Sequence, residues 1–164
     1  MSQETSLEEI KTVARRFRAD LWQSGNLSLA DQIIARGCRV HSRIPVMIDI
    51  ESGPEAIKQL LFFYHLVLSD ITMTIDDIIA EGDLVAVRWS GKGHHTGELF
   101  GLAATGNEIE TSGIDMLRIV DGKIVEGWIH WDALSFLESV IGDQSGESGS
   151  EFLGFISRLQ SASS

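Results

Sequence analysis

The first third of the chain has the periodicity of amphipathic helices. Ser6-Leu7-Glu8-Glu9 is a capping-box pattern, and apolar residues recur after it at helical spacing as far as Gly25. These apolar residues are Leu7, Ile10, Ala14, Phe17 and Leu21. A short second helix is predicted over 27–36, ending at Gly37, and a third is predicted to begin at Pro54.

From Ile71 onward the pattern changes to a period of two with many β-branched residues. It predicts strands over 71–80, 84–90, 108–120 and 123–131, followed by a brief helix over 133–141. Glu81-Gly82-Asp83 and Asp121-Gly122 are turn signals that predict antiparallel hairpins. Residues 39–50, interrupted by Pro45, predict a short strand and a loop.

Helices first and strands last predict an α+β fold, in which a curved antiparallel sheet wraps around the N-terminal helices. Such a sheet leaves a concave mouth that suits a small apolar ligand. The 164 residues fit one domain over 1–142. A Gly/Ser/acid-rich linker over 143–150 and a short amphipathic tail over 151–164 follow it.

Charge and cysteine content exclude several classes of function. A net charge of -11 and a pI near 4.7 disfavour nucleic-acid binding, which needs a basic face. Cys38 is the only cysteine, so an intrachain disulfide is impossible and a reducing compartment is expected. With no leader pattern and no apolar run of membrane-spanning length, we expect a cytoplasmic protein without a membrane partner.

A family resemblance becomes specific in the second half of the chain. It rests on Gly93-His94-His95-Thr96-Gly97-Glu98-Leu99-Phe100-Gly101-Leu102, Thr105-Gly106, Gly113-Ile114-Asp115-Met116-Leu117-Arg118-Ile119, Asp121-Gly122-Lys123-Ile124-Val125-Glu126 and Trp131-Asp132. This pattern resembles the SnoaL-like polyketide cyclases and ester cyclases of the nuclear transport factor 2-like superfamily. The similarity covers about residues 5 to 142 in order and spacing.

The resemblance implies a conical fold with a deep pocket, no cofactor, and acid/base chemistry on a bulky or polycyclic carbonyl substrate. Asp115 is similar in position to an oxyanion-hole aspartate of the related ketosteroid isomerases. The ester cyclases carry their chief acid/base aspartate in the last strand, seven residues after the turn glycine. Ile129 occupies that place here.

Asp115 is the first catalytic candidate, because a carboxylate in an otherwise apolar strand is costly to bury unless it is paired or protonated. The alternative is an outward-facing aspartate paired with Arg88 or Arg118. His95 and His41 are the candidate acid/base partners, since an imidazole titrates near neutrality. No metal is expected, because the histidines lack the spacing of a metal site.

The register of the last hairpin decides which residues share a face with Asp115. A two-residue turn places Asp115 opposite Trp128, with His130 and Asp132 on that face. A three-residue loop places it opposite Gly127, and we expect this loop. The residues expected to line the pocket are Trp22, Tyr64, Trp89, Leu117, Ile129 and Trp131.

Two classes of function fit this sequence. The first is a cofactor-independent acid/base enzyme, a SnoaL-like cyclase or isomerase that performs an aldol-type cyclisation or an isomerisation. The alternative is a non-catalytic small-molecule-binding or dimerisation module of the same fold. In either case we expect a homodimer formed through the outer face of the sheet, where side chains such as Trp128 are exposed.

Overall fold

The computed structural model describes residues 6–42 and 52–142, together with Gly154, Ser157 and Ser161. Its helices are α1 (Leu7–Arg15), which continues as a π-helical segment (Arg16–Gln23), α2 (Leu27–Ile33), α3 (Pro54–Val67) and α4 (Ala133–Ile141). Its strands are β1 (Ile34–Ser42), β2 (Leu68–Glu81), β3 (Leu84–His95), β4 (Glu108–Val120) and β5 (Lys123–Trp131). The predicted linker and tail lie outside the described residues, apart from those last three.

The first helix begins at the predicted capping box. The Ser6 hydroxyl accepts from the Glu9 backbone N–H at 3.2 Å, and the Glu9 carboxylate accepts from the Ser6 backbone N–H at 2.7 Å. Beyond Arg15 the helix widens into the π-helical segment. π-helical turns are rare and are found frequently at functional sites. This one buries the side chains Phe17, Arg18, Leu21 and Trp22.

The second helix is shorter than predicted and ends at Ile33 rather than at Arg36. Ile34 already pairs with Ile124 in β5, and Gly37 lies inside strand β1 at an irregularity in that pairing. Sheet pairing therefore overrides the helical pattern of 34–36. The β1–β5 pair is parallel, so the sheet is not antiparallel throughout as expected. The predicted loop from 43 onward, with Pro45, lies outside the described residues.

The five strands form a curved, open sheet in the order β1-β5-β4-β3-β2. Helices α1, α2 and α3 cover its inner face, where buried residues of β3 and β4 meet Phe17, Leu21 and Leu61. A smaller cluster at the other end joins Val67, Leu99 and Ile109 to α4. None of the described helices is long and apolar enough to cross a membrane.

The last hairpin departs from the prediction at its turn. Asp121 and Gly122 have φ values of 50° and 73°, and Val120 pairs with Lys123. This is a two-residue turn with positive φ at both central residues, as in type I′, so the predicted three-residue loop was wrong. A bulge at Val125 then shifts the register by one residue.

The bulge places Ile129, not Gly127 or Trp128, opposite Asp115. Ile129 and Asp115 therefore share the inner face, as expected, although the bulge and not the loop length is the cause. Trp128 pairs with Met116 on the outer face instead.

Candidate active site

Asp115 lies on the inner face of β4 and forms a two-point ion pair with Arg18. The Arg18 Nη2 donates to Asp115 Oδ1 at 2.5 Å, and its Nε donates to Asp115 Oδ2. Asp115 is 0% exposed and Arg18 is 1% exposed. The alternative partners bind elsewhere, since Arg88 pairs with Asp77 and Arg118 with Asp83. Asp115 is therefore an inward-facing side chain with both oxygens hydrogen-bonded.

Aromatic rings surround the guanidinium of Arg18. Its central carbon lies 4.0 Å from the ring centroid of Trp89, 4.7 Å from that of Trp22 and 5.6 Å from that of Phe17. A desolvated cation over tryptophan faces is held by about 2 kcal/mol. Tyr64 packs edge-on against Trp22 at 5.7 Å. Burial raises the pKa of the Tyr64 hydroxyl to about 12, against the opposing charge of Arg18, so this phenol is protonated at neutral pH.

Gly113 fixes the position of Trp89. A Cβ added at this glycine would lie 2.6 Å from Cζ2 of Trp89 and 2.4 Å from the backbone oxygen of His130. Neither neighbour is the end of a flexible side chain, so only glycine fits between the strand and the indole. The close approach holds the indole against Arg18.

The chemistry open to this centre follows from its hydrogen bonds. Arg18 uses two N–H groups on Asp115 and retains others, so it can also donate to a ligand oxygen. Each Asp115 oxygen accepts one N–H and retains acceptor capacity for a proton. The low dielectric strengthens any interaction of these charges with a reacting group.

A concavity lies on the outer face of the sheet and is separate from this centre. It has a volume of about 340 Å³ and is lined mainly by hydroxyl and charged groups, among them Thr72, Thr74, Ser90, Lys92 and Glu110. It has no apolar wall for a flat ligand, and Asp132 at its rim is already used as the N-cap of α4. The Arg18–Asp115 pair is therefore the better candidate for an active site.

Comparison with known proteins agrees with the fold. The family model described as SnoaL-like polyketide cyclase matches residues 12–139. The chain belongs to the SnoaL-like polyketide cyclase family. No curated protein matches this sequence.

Solved structures of SnoaL-like folds align over most of the chain. IdmH of Streptomyces antibioticus, a proposed polyketide cyclase, is 28% identical with a TM-score of 0.69, covering 80% of this chain and 97% of IdmH. AclR of Streptomyces galilaeus, a proposed hydroxylase, is 26% identical with a TM-score of 0.69, covering 80% and 95%. TsrD of Streptomyces laurentii shares the fold at 21% identity and a TM-score of 0.72, covering 82% and 96%.

In this member of the SnoaL-like family, Ile129 places an apolar side chain directly across from Asp115. Ile129 is 4% exposed and Leu117 is 1% exposed. Of the six residues expected to line the pocket, Trp22, Tyr64 and Trp89 gather around Arg18, while Leu117 and Ile129 adjoin Asp115. Trp131 belongs to the smaller cluster, edge-on to Phe136 at 5.1 Å.

His95 lies on the inner face but far from Asp115. Asp115 pairs with Val87, and His95 is eight residues further along β3, about 26 Å at the usual rise of a strand. Its Nδ1 accepts from the Thr105 backbone N–H at 3.1 Å, and burial lowers the pKa of the imidazole. A neutral ring protonated on Nε2 is the consequence.

His41 lies on the outer face of the sheet. It stacks on Trp128 with 5.2 Å between ring centroids, and its Nε2 lies 2.9 Å from a Glu126 carboxylate oxygen. The structure therefore does not bring Asp115, His95 and His41 together. Side-chain alternation and the parallel pairing of β1 send His41 outward, and the length of β3 carries His95 away.

The residues of the alternative register also point away from Asp115. Trp128 lies on the outer face, as does His130, which pairs with Ile114. Asp132 caps helix α4, where it accepts from the Ser135 backbone N–H at 3.0 Å and from the Ser135 hydroxyl at 2.6 Å. The bonds to Ser135 lower the pKa of Asp132. An Asp/His/Asp cluster does not form.

Arg18 is the residue that sequence reasoning missed. Its signal was its place in the apolar stripe of the first helix, four residues after Ala14 and three before Leu21. An arginine in a buried apolar stripe needs a carboxylate partner in the core, and Asp115 is the carboxylate expected there. Among the described residues, no group of three His, Cys, Asp or Glu side chains is arranged to hold a metal ion.

Proposed function

We propose that the chain is a cofactor-independent acid/base enzyme that acts on a bulky carbonyl compound by aldol-type cyclisation or isomerisation. The observation that carries the proposal is the fully buried Arg18–Asp115 pair inside a cage of tryptophan and tyrosine rings. Membership of the SnoaL-like polyketide cyclase family and the likeness to IdmH support it. Aromatic side chains of this kind commonly line sites for flat, apolar molecules.

The cost of the pair argues for a functional role. A buried ion pair gains little net stability, and well-packed apolar residues in its place are often neutral or stabilising by about 1–4 kcal/mol. Stability alone therefore does not explain why this core holds charges on Arg18 and Asp115. Catalysis does, since preorganised charges stabilise a reaction that develops charge.

In the proposed reaction Asp115 takes a proton from the carbon beside the substrate carbonyl. The electrons of the broken C–H bond form an enolate, whose oxygen is held by the free N–H groups of Arg18. In isomerisation Asp115 returns the proton to a different carbon of the enolate. In an aldol cyclisation the enolate carbon attacks a second carbonyl, and the resulting alkoxide takes the proton back from Asp115.

The test is deuterium incorporation at the α-carbons of 2-tetralone, a flat bicyclic ketone, followed by proton NMR in D₂O. We expect the wild type to accelerate exchange and the apolar double variant Arg18→Met/Asp115→Leu to lose about 10²-fold or more of it. The matched control is Asp77→Asn, which removes a carboxylate from an exposed arginine pair and leaves exchange unchanged. Exchange no faster than in buffer, or equal in the double variant, contradicts the proposal.

A second candidate function is a non-catalytic module that binds the same class of molecule. Two observations favour it: Ile129 stands where the ester cyclases carry their acid, and both Asp115 oxygens are already engaged by Arg18. Binding of 2-tetralone, seen as quenching of tryptophan fluorescence, without any gain in deuterium exchange would establish this function.

A further inference from the structure

Two indole N–H groups beside Arg18 are buried without an acceptor among the described residues. They are the Nε1 atoms of Trp22 and Trp89, whose side chains belong to residues only 6% and 3% exposed. A buried donor left unpaired costs about 1–3 kcal/mol. Both of these donors belong to rings that face the guanidinium of Arg18. Because both rings contact the same guanidinium, one ligand could account for both unpaired donors.

The other two tryptophans do not share this feature. The sequence has four tryptophans, all within the described ranges, and neither Trp128 nor Trp131 has a buried Nε1 without a partner. Trp128 stacks on His41 outside the sheet, and Trp131 packs on Phe136 in the smaller cluster. The unpaired indole donors are thus confined to the cage around Arg18, while the other buried polar atoms without a partner, Ser42 Oγ, His94 Nδ1 and His95 Nε2, lie on other residues.

We propose that Trp22 Nε1, Trp89 Nε1 and the free N–H groups of Arg18 form one site for an oxygen anion conjugated to a flat ring system, a phenolate or an enolate. Indole and guanidinium nitrogens are donors only, so these groups favour an oxygen rich in lone pairs and negative charge. The rings of the same two residues make the surroundings of these donors apolar. This inference rests on the proposed function and names the groups that hold its enolate oxygen.

Preorganisation strengthens the case for Trp89. Gly113 leaves room for the indole edge, with Cε2 of Trp89 2.9 Å from where a Cβ would stand. Nε1 is bonded to that carbon, so the donor is fixed where the indole meets β4, two residues before Asp115. A donor held in advance loses little entropy when the oxyanion forms.

The binding test uses 6-cyano-2-naphthol, whose absorption separates its neutral and ionised forms, and 2-cyanonaphthalene, which lacks the hydroxyl. We expect the wild-type protein to favour the ionised naphthol, so that the bound probe titrates at lower pH than the free one. Trp22→Phe and Trp89→Phe keep an aromatic ring and remove the N–H. Each is expected to weaken binding of the ionised probe about 10-fold, as for a hydrogen bond to a charged group, with little change for 2-cyanonaphthalene.

Trp128→Phe and Trp131→Phe are the matched controls, and both are expected to bind the ionised probe as the wild type does. If Trp22→Phe and Trp89→Phe weakened the binding of both probes equally, the indoles would contribute only apolar contact, and the inference would be overturned. A bound naphthol that titrates like the free one would also overturn it.

A direct readout on the wild-type protein covers the case in which a variant does not fold. In ¹⁵N-labelled protein the four indole N–H groups give four resonances, assigned by whichever Trp→Phe variants fold. The ionised naphthol should move the Trp22 and Trp89 resonances downfield and leave those of Trp128 and Trp131 in place. The opposite pattern contradicts the site. If the Trp22 and Trp89 resonances shift but the protein does not accelerate deuterium exchange of 2-tetralone, only the proposed catalysis is rejected. If exchange is accelerated but these resonances do not shift, only the indole site is rejected.

Discussion

Arg18 and Asp115 are 97 residues apart in the chain and meet as a two-point ion pair in the core. The arginine comes from the π-helical segment and the aspartate from the middle of β4, so the pair joins the helical layer to the centre of the sheet. Removing one partner would leave the other charge buried and uncompensated. The pair is therefore a determinant of stability as well as of the proposed chemistry.

Asp115→Asn is expected to destabilise the protein by about 3–5 kcal/mol, because it leaves the Arg18 charge buried without a counter-charge. Arg18→Met/Asp115→Leu should stay within about 2 kcal/mol of the wild type, since no charge remains in the core. Urea unfolding measures both, with exposed Asp77→Asn as the control at less than about 1 kcal/mol. If Asp115→Asn were as stable as the wild type, the buried pair would not exist in solution.

The sequence predicts the fold well where periodicity and turn chemistry act locally. The bounds of β4, β5 and α4 agree with the pattern, and so does the capping box at Ser6. It fails where long-range pairing decides the outcome. Parallel pairing with β5 shortens α2, and the bulge at Val125 sets the register of the last hairpin.

The candidate site was predictable only in part, for the same physical reason. Asp115 could be selected because a carboxylate in an apolar strand needs a partner. Its partner could not be fixed, because Arg88, Arg118 and Arg18 all fit that need, and only packing of the first helix on the sheet brings Arg18 within reach. Sequence alternation also cannot say how far along a strand His95 lies from the pair.

The stability of the protein should depend on pH through His95. Burial lowers the pKa of this imidazole, so the folded state holds it neutral while the unfolded chain protonates it below about pH 6.5. The unfolded state then binds more protons, and stability is lost as the pH falls below 6.5, by up to about 1.4 kcal/mol per pH unit.

The check for His95 is urea unfolding of wild type and His95→Asn between pH 7.5 and 5. Asparagine keeps an acceptor for the Thr105 N–H and cannot be protonated, so the stability difference should shrink toward low pH. His130→Asn, on the exposed outer face, is the control. A difference that stays constant with pH would contradict a buried neutral His95.

An apolar row crosses the outer face of the sheet and is expected to form a homodimer contact. Strand pairing aligns Ile79, Ala86, Met116, Trp128 and His41 in this row, one from each strand. Ile79 is 69% exposed and Met116 is 40% exposed. Met116→Lys would place a charge at its centre and should convert a dimer to a monomer in sedimentation at micromolar concentration.

Leu134→Lys is the matched control for the dimer, since Leu134 is 59% exposed on α4 and lies outside the row. Its sedimentation should equal that of the wild type. A monomeric wild type, or a dimer that Met116→Lys leaves intact, would exclude this face as the contact.

Ile129→Asp places a second carboxylate directly across the strand pair from Asp115, on the inner face. Opposed side chains have Cβ atoms about 5 Å apart, and Arg18 cannot neutralise both carboxylates. The variant should therefore be destabilised by a few kcal/mol at neutral pH, about 2–5, and the loss should be smaller at low pH. The loss is smaller at low pH because burial and the neighbouring Asp115 raise the pKa of the introduced carboxyl in the folded state. The folded state therefore takes up a proton more readily than the unfolded state and gains stability as the pH falls.

Ile129→Asn is the control that separates the effect of charge from that of polarity, because the asparagine side chain has nearly the shape of aspartate but does not titrate. Its destabilisation should not vary with pH between 5 and 8 in urea unfolding, whereas that of Ile129→Asp should decrease toward pH 5. An acid in this place is also what the ester cyclases carry, so Ile129→Asp should exchange the α-protons of 2-tetralone faster than Ile129→Asn does. Equal exchange by the two variants would mean that a carboxylate opposite Asp115 cannot reach the substrate carbon, and that proton transfer on this scaffold depends on Asp115 alone.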